Sequence, residues 1–386
     1  MAVLEPLAAG LLPSGIRARI IRRINGLDMH VLEAGAEPAG RPLVLLLHGF
    51  PELAYSWRKV MGPLADAGFH VVAPDQRGYG RTTGWSAGYD QDLRPFSMLR
   101  LASDALALVY AMGRTHVAAV IGHDFGSPVA AWCAVTRPDV FRAAVLMSAP
   151  FGGTPFAMVG SPARTNDPPA PGDLDADLKC LPRPRKHYQR YFATRAANAD
   201  LLDDPRGLSD FLRAYFHAKS ADWSGNHPTR LADGSAAQLA RMPDYYIMDL
   251  AKTMPENVAP LMPTPDAIAA CRWLTAAELA VYTAEYRRTG FQGGLNWYRA
   301  RFEPALNADL TLYANGTLDV PSMFVAGRSD WGVYQMPGAY ERMQSTACTH
   351  MLGCHLIDGA GHWVMQEQPD AVAALLIAFL EEVGAA

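Results

Sequence analysis

Short, continuously apolar runs recur through the first 150 residues, at 42–47, 70–75, 117–121 and 143–147. Unbroken apolar runs are what strands buried on both faces require. Segments 99–112 and 127–135 between and after them carry helical spacing. Strands alternating with helices predict a doubly wound, mostly parallel α/β sheet. Upstream, two alternating stretches at 19–22 and 29–32 flank Asn25-Gly26 and predict a β-hairpin at an antiparallel sheet edge. The pattern changes after Pro150. From 151 to 312 come proline-rich loops and helical segments rich in Ala, Leu, Tyr and Arg, without strand alternation. Apolar runs resume at 321–327 and 355–358, and a helix over 369–382 closes the chain. The expected organisation is an α/β core over 1–150 and 313–386, interrupted by a helical cap over 151–312.

Composition narrows the function classes. Half of the 386 residues are hydrophobic, ample for a large core, and the formal net charge is −4. That balance gives no electrostatic case for nucleic acid or an anionic membrane. The five cysteines are odd in number and contain no Cys-x-x-Cys pair. They read as thiols of a reducing compartment, not as a disulfide framework or a zinc site. The first fifteen residues carry Glu5 and Pro13 and no basic start, so they make a poor signal peptide. The apolar run 371–380 is too short to cross a bilayer. A cytoplasmic protein with no membrane span is expected. Pro182-Arg183-Pro184-Arg185-Lys186 is a basic patch, read as a solvated edge.

The chemistry gathers at loops that follow strands. Gly122-His123-Asp124-Phe125-Gly126 lies between an apolar strand and a helix, the context of a nucleophile elbow. The elbow usually holds serine at its centre; here Asp124 stands there. An aspartate at that apex points to carboxylate attack on a carbon bearing a leaving group. The plainer alternative is an Asp that caps the following helix. Asp330 follows the strand at 321–327, and His362 follows the last strand in Gly361-His362-Trp363. The chain order acid, acid, histidine across strand-end loops is that of a hydrolase triad. Asp358 also ends a strand but falls too close to His362 to span the gap, so Asp330 is the expected orienter. The backbone N–H groups of Phe50 and Phe125, one from each turn, are the expected oxyanion donors.

His48-Gly49-Phe50-Pro51-Glu52, the Asp124 elbow and Gly361-His362-Trp363 together resemble the α/β-hydrolase epoxide hydrolases. The resemblance covers nearly the whole chain from Ile16 and is thinnest over 220–257. It implies an eight-stranded sheet with an inserted helical cap, a cis peptide at Phe50-Pro51, and two cap tyrosines that protonate the epoxide oxygen. Gly294-Leu295-Asn296-Trp297-Tyr298-Arg299 resembles the segment that carries one of them, Tyr298. His187-Tyr188-Gln189-Arg190-Tyr191-Phe192 resembles the other, with Tyr188 the better match and Tyr191 the fallback. His48, Gly49, Pro51 and Trp297 are the expected substrate pocket. The turn Asp75-Gln76-Arg77-Gly78-Tyr79-Gly80 is also family-like and reads as structural. The implied reaction needs no cofactor and no metal: an epoxide and water give a vicinal diol through an alkyl ester on Asp124. Oligomeric state is left open, a homodimer included. A haloalkane or haloacid dehalogenase with the same aspartate nucleophile is the runner-up. It is disfavoured by Phe125, where haloalkane enzymes would want tryptophan and fluoroacetate-type enzymes arginine. A non-catalytic small-molecule binding protein of the same fold is the rival from another class.

Overall fold

The computed structural model describes residues 4–155 and 173–384. Strands β1 (Ile16–Ile24) and β2 (Leu27–Ala34) form the predicted hairpin, turning through Asn25 and Gly26, both with positive φ. Strands β3 (Leu43–Leu47), β4 (His70–Pro74), β5 (Ala119–His123) and β6 (Ala144–Met147) follow, every residue of them buried. Far along the chain, β7 (Arg185–His187) and β8 (Ile247–Asp249) pair as a separate two-stranded ribbon. Strands β9 (Ser322–Gly327) and β10 (Met351–Ile357) complete an eight-stranded sheet of order β1-β2-β4-β3-β5-β6-β9-β10. From β4 to β10 all pairings are parallel, while β1–β2 and β2–β4 are antiparallel. The fold class is the expected one, an α/β-hydrolase sheet with helices packed against it.

Two local expectations are corrected. The elbow strand lies two residues later than its apolar run, because the register is set by its neighbours: Leu47 of β3 opposes Gly122, and Met147 of β6 opposes His123. The basic stretch at 182–186 is a solvated edge only in part: Pro182, Arg183 and Pro184 are exposed, but Arg185 is not. Arg185 is buried in β7 and donates to Asp244 Oδ1 at 2.8 Å, while Arg183 pairs with Asp244 and Asp249. Three-residue strands are too short to show alternation, so the ribbon escaped the helical reading of this region.

The long insertion between β6 and β9 is mainly helical over its described part and is tied to the core by buried polar groups. Arg58 carries the most. Its guanidinium reaches the Tyr55 carbonyl and Gln366 Oε1 on the core side, and the Trp273 carbonyl and Glu278 on the insertion side. Ser56 and Tyr282 exchange a 2.7 Å hydrogen bond, and the Trp297 indole donates to the Arg77 carbonyl at 2.9 Å. Gly293 packs against the backbone of Gly78 so closely that a Cβ there would lie 2.0 Å from the Gly78 oxygen. No helix among the described residues is long and apolar enough to cross a membrane. Removing Arg58 takes a buried donor from the Tyr55 carbonyl and Gln366 and one of the donors from Glu278 and the Trp273 carbonyl, which keep Lys59, so Arg58→Ala should cost about 3 kcal/mol of stability. Chemical denaturation of the purified variant measures this; a loss of a few tenths would show the insertion is held elsewhere.

Candidate active site

Asp124 stands at the end of β5 with φ of 51°, the left-handed region that a residue with a Cβ rarely occupies. Its N–H donates to the Met147 carbonyl at 3.1 Å, and the next helix, Gly126–Thr136, starts two residues on. The glycines around it are steric necessities. A Cβ on Gly122 would lie 2.0 Å from the Gly126 oxygen, and one on Gly126 would lie 2.2 Å from the Leu47 oxygen. The turn therefore projects the Asp124 side chain out from the sheet towards the loop after β3. There the Phe50 N–H donates to Asp124 Oδ1 at 2.8 Å. Phe50–Pro51 is cis, as the resemblance implied.

His362 and Asp330 meet that carboxylate from the far half of the chain. His362 Nδ1 lies 3.1 Å and 3.2 Å from the two Asp330 oxygens, and its Nε2 lies 3.2 Å from Asp124 Oδ2. The Nε2 contact is close but off-angle for a hydrogen bond, which leaves that nitrogen uncommitted. Asp358 is elsewhere, exposed and paired with Arg328. Burial works against ionisation of both aspartates, yet His362 and Lys219 outweigh it and hold each carboxyl below the usual range, Asp124 far below. For His362, burial and Lys219 push the imidazole down, and the two carboxylates more than reverse them, so its pKa is raised.

A second buried pair was missed in sequence, although both residues stand inside the quoted motifs. His123 Nδ1 bonds Glu52 Oε2 at 2.6 Å, and its Nε2 bonds the His362 carbonyl oxygen at 2.7 Å. Glu52 also accepts the Gly49 N–H at 2.9 Å, so it links the β3 loop, the elbow and the His362 loop. Their order in the chain carries no sign of this, since the partners are 71 and 239 residues apart.

A cavity of about 570 Å³ opens in front of Asp124, lined by Phe96, Trp132, Phe151, Trp297, Tyr188 and Tyr298 among others. The rings of Tyr188 and Tyr298 are 6.1 Å apart, and Tyr298 packs edge-on against both Phe50 and Phe125. The Tyr188 hydroxyl donates to Gln335 Oε1 and accepts from Gln189 Nε2, each at 3.0 Å. Burial, then the Asp124 charge, raises both phenols above their ordinary value, which keeps them protonated. Tyr191 points away, its hydroxyl donating to Asp200 at 2.8 Å. The expected pocket is corrected in part. Trp297 lines the cavity, whereas His48, Gly49 and Pro51 are buried behind it. The His48 ring is committed to backbone, accepting from the Gln76 N–H at 3.1 Å, and Gly49 is the floor on which Asp124 rests. A Cβ on Gly49 would lie 2.4 Å from that of Asp124.

The sequence matches the family described as the alpha/beta hydrolase fold over residues 42–246. It is 34% identical to "Epoxide hydrolase A" of Mycobacterium tuberculosis, covering 92% of this chain and 95% of that protein. It is 31% identical to an epoxide hydrolase of Caballeronia sordidicola, covering 94% and 93%. Among solved structures, an epoxide hydrolase from an endophytic Streptomyces superposes with a TM-score of 0.76 at 28% identity, covering 96% and 97%. Potato epoxide hydrolase I superposes at 0.70 and 28%, covering 95% and 99%.

With two carboxylates on either side, His362 should titrate above the ordinary imidazole value of about 6.5. NMR of ring-labelled histidine measures it. Asp330→Asn removes one flanking charge and should lower the value; a wild-type value at or below the ordinary one would contradict the electrostatics described.

Proposed function

The chain belongs to the epoxide hydrolases of the α/β-hydrolase fold, and on that premise we propose that it opens an epoxide to a vicinal diol through a covalent ester on Asp124. The observation that carries this reading is one of opposition. A low-pKa carboxylate faces two protonated phenols across a single cavity, with the His362–Asp330 pair behind the carboxylate. We read 151–312 as the cap that brings Tyr188 and Tyr298 over the nucleophile.

In the first step an Asp124 oxygen bonds a ring carbon, the carbon–oxygen bond of the ring breaks, and a phenol of Tyr188 or Tyr298 delivers a proton to the departing oxygen. An alkoxide is strongly basic, so a positioned acid contributes on the order of a hundred- to ten-thousandfold here. In the second step His362 Nε2 takes a proton from water, whose oxygen bonds the Asp124 carboxyl carbon. The Phe50 and Phe125 N–H groups face the oxyanion that results. The ester bond then breaks, and Asp124 keeps one oxygen from water. One water proton passes by way of His362 to the leaving alkoxide; the other restores the tyrosine. Asp330 orients the imidazole and balances its charge throughout.

Three tests follow from the chemistry. A panel of aryl, alkyl and terpenoid epoxides, run beside haloalkanes, should yield diol and no halide. In His362→Gln the nucleophile and both phenols remain but the base is gone, so ring opening should occur once and stop. Intact-protein mass spectrometry should show a gain of one substrate mass, mapping to the peptide that holds Asp124. No gain in a variant that still binds substrate would overturn the covalent route, and a mass short by a halide would favour the dehalogenase. Tyr188→Phe and Tyr298→Phe should each slow ring opening by about a hundredfold. Tyr191→Phe should leave it near wild type, and the reverse pattern would move the acid to Tyr191.

A further inference from the structure

Lys219, the last residue of the helix Leu208–Lys219, is 3% exposed. Its ammonium stands over three rings, 5.0 Å from Tyr246, 5.3 Å from Trp363 and 5.6 Å from Tyr215, with no carboxylate in ion-pair contact among the described residues. A lysine this deep is rarely left without a carboxylate partner, since desolvating the ammonium costs more than cation–π contacts recover.

The helix end that carries Lys219 is also the seat of the histidine loop. The Lys219 carbonyl accepts the His362 N–H at 2.8 Å, and the Phe216 carbonyl accepts the Trp363 indole N–H at 2.7 Å. Glu367 accepts the N–H groups of Ala221, Gly361 and Trp363, bolting the two segments together. A Cβ on Gly361 would lie 2.5 Å from the Lys219 oxygen. The Lys219 backbone is thus tied to that of His362, and its ammonium lies 5.3 Å from the ring of the next residue, Trp363, in a buried medium that screens poorly.

We propose that Lys219 is a positioning residue for the second half of the reaction: its buried charge keeps His362 an unprotonated base once Asp124 has become a neutral ester. The inference rests on the two-step reading above. In the free enzyme the groups facing His362 are Asp124 from the elbow, Asp330 from the loop after β9, His123 with Glu52 behind it, and Lys219. Two flanking carboxylates then outweigh the lysine, and the imidazole is raised. Alkylation cancels one of them. Burial and Lys219 act in the same direction, and only Asp330 still opposes them at first hand, so the imidazole falls towards its neutral form just when a base is needed. Glu367, pushed up to about 8 chiefly by burial, titrates at the same loop and is common to wild type and variants.

Two experiments decide it. Asp124→Asn places an uncharged side chain where the ester would be. His362 in that variant should titrate below about 6.5, and adding Lys219→Met should raise it by on the order of one unit. A His362 value at or above 6.5 in Asp124→Asn overturns the proposal, and this result does not depend on whether Lys219 variants fold. The second experiment is transient kinetics with styrene oxide. Lys219→Met should accumulate the Asp124 ester by intact mass, move the acid limb of ester hydrolysis up by about one pH unit, and leave ring opening no slower. Lys219→Arg should restore the wild-type limb. Equal loss at every pH, with the limb unmoved, assigns Lys219 to packing alone. Should wild type form no ester with any epoxide, the two-step reading fails, while the Asp124→Asn titration still reports whether Lys219 biases His362.

Discussion

The left-handed backbone at Asp124 is the constraint on which the rest of the site depends. A residue with a Cβ adopts that conformation at a cost of roughly 1–2 kcal/mol. It persists here because the surroundings admit no other path: Gly122 touches Gly126, Gly126 touches the end of β3, and Gly49 lies under the Asp124 side chain. The strain places a carboxylate outside the pleat of the sheet, at the mouth of a cavity, where an extended backbone would direct it into a layer of core. The parallel strands on either side supply the stiffness. Leu47 and Met147 fix the register of β5, and the Met147 carbonyl takes the Asp124 N–H.

Around that point the protein balances charges that none of the groups could sustain alone. Asp124, Asp330 and Glu52 are all buried, and each is answered by a base: His362 between the first two, His123 beside the third, and Lys219 within Coulombic range of all of them. Buried carboxylates without such partners would take up protons and lose their charge. The arrangement leaves His362 Nε2, the ring nitrogen that faces Asp124, without an aligned partner.

The insertion contributes two buried phenols, Tyr188 and Tyr298, and the enclosure around Asp124. Tyr298 packs against Phe125 and against Phe50, whose N–H donates to Asp124, so the phenol and the elbow share one wall. Arg58, Tyr282 and Trp297 hold the insertion on the core through partners drawn from both. Removing water from this enclosure strengthens the electrostatics of the carboxylate and keeps the phenols protonated.

Much of this was legible in the chain. The unbroken apolar runs of β3 to β6 and β9 can only be doubly covered strands, and the hairpin was marked by Asn25-Gly26. Asp124 and His362 were marked by the glycines and strand ends beside them, because a tight turn requires small residues wherever it occurs. Such signals are local: they depend on a residue and its near neighbours, which the sequence states outright. The Glu52–His123 bond, the ribbon that takes up Arg185, and Lys219 beneath the histidine loop were decided by the tertiary structure alone. Each depends on segments tens to hundreds of residues apart being brought into contact. Charge–charge distances and burial exist only after that contact is made, so no spacing along the chain could have encoded them.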